Sequence, residues 1–293
     1  MKETLSVKLL NTLNRGKKQV GKEALCHIVR FVESQKTDEE AFVNKNNATD
    51  LYYTMFGWLL ACVLDIRLDS KKTTLFLEQQ NIANMDLIHY AAFVRCKMLQ
   101  KLLAGNKIKL LLDRLTSTTP IKSLHEFKGF PHNDAESPYS QFIWLSLKED
   151  INQNIAHKEE IKANLLKYKA PEGGYSNIAE SKQAATNATV AALAIYGQLD
   201  GYKENEDTRF LQQQQQDSGG FAAVTNSPVP DLLSTATALF MLRCYNMIPK
   251  VSPRDFIEAH WLDSGGFSAT LLEETSDVEY TFYGLLALGS LSD

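Results

Sequence analysis

The feature that most constrains this chain is a unit that recurs at a fixed spacing. Gly265-Gly266-Phe267 precedes Asp277 and Thr281; 46 residues earlier stand Gly219-Gly220-Phe221, Asp231 and Thr235. A further 46 residues back stand Gly173-Gly174-Tyr175 and Thr189, with Ala185 in the Asp position. The aromatic-to-Thr interval is 14 residues in all three copies. A sequence that keeps glycine pair, acid and threonine in one register builds its fold by repeating one supersecondary unit.

Earlier copies are more worn. Asp50-Leu51-Tyr52-Tyr53-Thr54 has Glu40-Ala41 in place of the glycine pair, which predicts a looser turn. Asp86 to Phe93 carries Tyr90 in the Thr position, and Glu136 to Leu145 carries Ser140 there, after Gly129-Phe130. The anchors Thr54, Tyr90, Ser140, Thr189, Thr235 and Thr281 thus mark six copies within a single domain over residues 1–293. Two helical patterns, separated around Gly21, come first, the second, Ala24 to Val32, the stronger.

Within each unit an amphipathic run precedes the glycine turn and an almost wholly apolar run follows it. Asn106 to Leu115 and Asp207 to Gln216 are of the first kind, Thr189 to Tyr196 and Leu232 to Leu242 of the second. A helix apolar on all sides is buried on all sides. The prediction is an all-α chain of six helical hairpins in two concentric rings, an α/α toroid. An acid just before an inner helix accepts from its free N–H groups, so Asp50, Asp86, Glu136, Asp231 and Asp277 are predicted caps. Gln212 to Gln216 is predicted to be the exposed end of an outer helix.

Composition excludes several classes. The net charge of -4, with both signs mixed, offers no basic face for nucleic acid. No run approaches the ~20 apolar residues of a membrane span, and nothing near Met1 reads as a signal peptide. Cys26, Cys62, Cys96 and Cys244 are scattered in apolar segments and read as reduced, buried side chains of a cytoplasmic protein.

Gln215, Gly219, Gly220 and Phe221, together with Asp277 to Leu288, resemble the repeats of protein prenyltransferase β subunits and of squalene and terpenoid cyclases. The resemblance implies a toroid around a central apolar cavity, and it identifies positions to check. The prenyltransferases hold zinc with an Asp, a Cys two residues on, and a His on the next inner helix. Here those positions are Asp231, Leu233 and Tyr280, one ligand where a catalytic zinc takes three. The loop that clamps the diphosphate in that family is Ala222 to Pro228 here, without a cation. No metal or other cofactor is implied.

The cyclases protonate their substrate from an Asp-x-Asp-Asp-Thr motif. Asp277-Val278-Glu279-Tyr280-Thr281 fits that frame, with Glu279 in the proton-donating position and Tyr280 in place of the last Asp. Equivalent positions elsewhere hold Tyr52, Ile88, Pro138, Asn187 and Leu233, so Glu279 is the one acid. The expected catalytic group is Glu279, supported by Asp277 and Tyr280. Tyr52, Tyr53, Trp58, His89, Tyr139, Trp144, Asp231 and Tyr283 are expected to contact the substrate, the aromatic rings among them able to stabilise a carbocation. The expected ligand is an isoprenoid, polyene or fatty chain, undergoing metal-free cyclisation or isomerisation. The alternative is a toroid without catalysis that serves as a ligand-binding or partner subunit.

Overall fold

The computed structural model describes residues 3–103 and 137–291. The run Asn106 to Leu115, the Gly129-Phe130 turn and the cap position Glu136 lie outside the described residues. The inner helices are α3 (Leu51–Leu64), α5 (Leu87–Leu103), α6 (Pro138–Asp150), α8 (Thr186–Asp200), α10 (Leu232–Cys244) and α12 (Val278–Leu291). Each packs on the next, and α12 packs back on α3, so the ring closes. Outside it lie α2 (Lys22–Ser34), α4 (Ser70–Glu78), α7 (Lys158–Leu166), α9 (Glu206–Gln213) and α11 (Arg254–Glu258). This is the α/α toroid.

One hydrogen-bond pattern accounts for the repeated register. The Thr54, Thr189 and Thr235 hydroxyls each accept from the backbone N–H of the turn aromatic, Phe42, Tyr175 and Phe221, at 2.9 Å; Thr281 does so for Phe267 at 3.3 Å. The same hydroxyls donate to the carbonyls of Asp50, Ala185, Asp231 and Asp277, one turn back, at 2.6 to 2.9 Å. All four threonines are fully buried. Each therefore satisfies a buried N–H that would otherwise be orphaned, and locks the turn to its helix. The aromatic also bridges the cap residue, as Phe42 with Asp50 in the β1–β2 pair (Phe42–Val43, Thr49–Asp50) and Phe221 with Asp231 in β3–β4 (Phe221–Ala222, Pro230–Asp231). Asp50, Asp86, Asp231 and Asp277 accept from helix N-terminal amides as predicted.

Two expectations need correction. The first turn is as tight as the others: Glu40 takes φ 64, beside 101, 92 and 91 for Gly173, Gly219 and Gly265. Its turn keeps the same bonds, Glu40 N–H to Thr37 and Thr37 N–H to Ala41. An ion pair from Lys36 to Glu40 at 2.8 Å helps hold this costly left-handed conformation. The glutamine tract is not simply exposed either. Gln215 is buried; its amide donates to Gly219 and Val251 carbonyls and its oxygen accepts from Lys250 and Val251 N–H. It clasps one unit to the next.

The first helix, α1 (Leu5–Gln19), lies across the end of the ring where the inner helices finish. Lys17 reaches the Val63 carbonyl, Arg15 the Gly289 carbonyl, and Ser6 the Asp150 carboxylate. It crosses α12 at backbone contact: a methyl group at Gly16 would collide with the Leu285 carbonyl, and one at Gly289 with that of Thr12. Of the cysteines, Cys96 alone is fully buried and Cys26 is exposed on α2, against the expectation that all four are core. Among the described residues no helix is long and apolar enough to cross a membrane.

Candidate functional site

The ring encloses a cavity of about 460 Å³ that runs from the inner-helix N-termini to α1. Its wall follows helical spacing. Tyr52, Met55, Phe56 and Leu59 line it from α3; Phe282, Tyr283 and Leu286 line it from α12. Positions 52, 55, 56 and 59 form one stripe of a helix with 3.6 residues per turn. On α12 the same stripe begins at Glu279, one turn before Phe282 and Tyr283. Of the residues equivalent to Glu279 in other repeats, Tyr52, Ile88, Asn187 and Leu233 line the cavity and Pro138 does not; Glu279 itself lies behind Tyr52, outside the lining.

Glu279 is 8% exposed and accepts a hydrogen bond from the Tyr52 hydroxyl at 2.7 Å. Among the described residues no cation pairs with it; Lys45 sits 2.8 Å from Glu273 and 3.9 Å from Asp277 instead. Burial raises the Glu279 pKa to about 7, against the opposing Tyr52 hydrogen bond and the more distant charge of Lys45, with some help from Asp277. Asp277, 2% exposed, is also pushed up by burial, against the N–H of Tyr280 that it accepts. Tyr52, Tyr139 and Tyr283 line the cavity, and burial raises each of their phenols. Tyr52 stacks edge-on against Phe56 and Phe56 against Phe282, each with centroids 4.9 Å apart.

The remaining candidates are placed elsewhere. Tyr53 and Tyr280 stand on the same end of the ring but off the lining stripe, with Lys45 5.0 Å from the Tyr280 ring centre. Trp58 is fully buried on the back of α3, against Phe76 of the outer ring, donating to the Glu40 carbonyl. Trp144 lies under Lys148 and His89 pairs with Asp86 at 2.9 Å; neither is a lining residue. Residues 58, 144 and 89 each miss their helix's lining stripe, so an aromatic or imidazole there packs between helices or meets solvent. Asp231 caps α10 through Ser234. Among the described residues no three His, Cys, Asp or Glu side chains converge as a metal site requires.

Sequence reasoning missed Phe56, Phe142 and Phe240, which line the cavity from the stripe positions of α3, α6 and α10. It also missed Arg95, a charge on the lining of α5. The signal was present: Arg95 interrupts the apolar run Tyr90 to Cys96.

A closed double ring around a largely apolar cavity, with the buried carboxyls of Glu279 and Asp277 at one end, defines an α/α toroid. The chain belongs to the prenyltransferase alpha-alpha toroid domain family, whose model matches residues 4–293. Among solved structures it is similar to a variant of the type II terpene cyclase MstE from Scytonema, in complex with its substrate geranylgeranyl dihydroxybenzoate. That match has a TM-score of 0.51 at 9% identity and covers 97% of each chain. A protein from Actinoplanes matches with a TM-score of 0.50 at 12% identity, over 92% of this chain and 98% of that one. No curated protein matches the chain.

Proposed function

We propose that the toroid encloses an isoprenoid or other polyene and that Glu279 donates the proton that starts a metal-free cyclisation or isomerisation. The observation that carries this reading is a buried carboxyl, unpaired by any cation among the described residues, hydrogen-bonded to a phenol of the cavity wall. Desolvation keeps such a carboxyl protonated near neutral pH. An acid with a pKa of about 7 is weak toward an isolated alkene and better matched to an oxygen, so an epoxide or an enone carbonyl suits it. For transfer the Tyr52–Glu279 hydrogen bond reverses: the protonated Glu279 gives its proton to the Tyr52 oxygen as the Tyr52 hydrogen passes to the substrate oxygen. Glu279 is left as the carboxylate that takes a proton back when the cation is quenched. Tyr283, Phe56, Phe282 and Tyr139 present ring faces and edges that exclude water and stabilise positive charge as it develops along the chain. Asp277 raises the Glu279 pKa by its proximity and orients the start of α12. The enclosed substrate of MstE, a polyprenyl chain on an aromatic acid, is of the same chemical class.

A second reading, a toroid that binds without turnover, is favoured by Tyr52 standing between the carboxyl and the lining. The two separate on Glu279→Gln and Tyr52→Phe, assayed with a polyprenyl epoxide. Catalysis predicts product from the wild type, none from Glu279→Gln with binding retained, and slowed turnover from Tyr52→Phe. Binding without product in all three proteins would leave only the second reading, and equal product from all three would remove Glu279 as the acid.

A further inference from the structure

We infer that the cavity takes a chain carrying a carboxylate head group, held by Arg95 at the α1 end with the reactive end at Glu279. The inference rests on the enclosed-chain reading above and adds the orientation and chemistry of the ligand. Arg95 lies on the lining stripe of α5, among Ala91, Ala92, Met98 and Leu99. A guanidinium presents five N–H donors and does not lose its charge. Its closest acceptor is the Asp150 carboxylate, 3.8 Å from Nε, which is too long for a hydrogen bond. Asp150 is engaged by the Ser6 hydroxyl at 2.9 Å. Among the described residues the two terminal nitrogens of Arg95 have no hydrogen-bond acceptor, although the lining around them is largely apolar with Asp150, Lys101, Ser146 and Ser6 as its nearby polar members. A cation so placed costs stability unless a ligand completes it, and a carboxylate matches the planar fork.

Position follows from the ring. Asp150 ends α6, whereas Tyr139 begins it, close enough to Glu279 to feel its charge. The Tyr139 phenol feels Arg95 as well as Glu279. Arg95 stands seven residues along α5 from Ile88, the counterpart of Glu279, so head and acid are separated along the ring axis by roughly 10 Å at 1.5 Å per residue. That span accommodates a short polyprenyl segment, with the rest of a longer chain folded within the cavity. With Asp150 beside it, one planar guanidinium matches the geometry and single charge of a carboxylate better than those of a diphosphate.

The test compares geranylgeranoic acid with geranylgeraniol, the same chain ending in an alcohol, by equilibrium dialysis against the full chain. The wild type is expected to bind the acid at least roughly ten-fold more tightly, as a charge-assisted bond implies. Arg95→Gln should abolish that preference while the alcohol still binds. The double variant Arg95→Gln/Asp150→Asn, which removes both charges, guards against loss of folding and should behave the same, with melting compared by circular dichroism. Equal binding of acid and alcohol by the wild type, or a preference that survives in either variant, would overturn the head-group assignment and leave the enclosed chain standing. Binding of neither ligand would overturn both.

Discussion

At the scale of residues, the account turns on a carboxyl whose pKa is raised to about 7 by burial. A raised folded-state pKa means that the proton stabilises the folded form. That stability is fully present below the unfolded value of the carboxyl and is lost as pH rises through about 7. Between pH 5 and 8.5 the wild type should therefore lose stability relative to Glu279→Gln, by up to roughly 3 kcal/mol, read from paired denaturant titrations. A parallel pH dependence in both proteins would contradict this. Turnover, which needs the protonated acid, should fall above about pH 7 in the same window. The sequence pointed to Glu279 because it alone carries an acid at its repeat position. It could not say which aromatics face inward, since Trp58 and Phe56 differ only in which side of α3 they occupy, and that is decided once the ring has closed.

At the scale of elements, the recurring interval of 14 residues has a mechanical cause. It returns the turn aromatic to the threonine hydroxyl one turn into the inner helix, a contact that the first copy makes with a loop two residues shorter, Phe42 to Thr54. Thr235→Val removes that acceptor with little change of shape, leaves the Phe221 N–H buried without a partner, and should cost about 1–3 kcal/mol. Thr235→Ser should recover most of it, with both read from denaturant midpoints. Gln215→Leu strands the Lys250 and Val251 amides and should cost a similar amount. Glu40 shows why the glycine pair was an incomplete guide. The left-handed turn is demanded by its hydrogen bonds, and a non-glycine residue adopts it when, as with Lys36 and Glu40, a local contact helps hold it.

At the scale of the whole molecule, the two rings were legible because a repeat with one charged and one apolar helix has few ways to bury itself. The role of α1 was not, since it lies outside the repeat and its contacts are at long range. The helix closes one end of the cavity through Thr4 to Leu10 and is seated on α12 by glycines. Gly289→Ala must push α1 away, and it should both lower the melting temperature and speed hydrogen exchange in α1. Unaltered exchange there would mean that the crossing is not what seats the helix. The central claim, a cavity that encloses a polyene beside an acid that converts it, is tested most directly by native mass spectrometry with solvent extraction of the wild type and of Glu279→Gln. The account predicts a bound apolar species in the variant that is absent, or replaced by its isomer, in the wild type. Two empty proteins, or the same unconverted species in both, would contradict it.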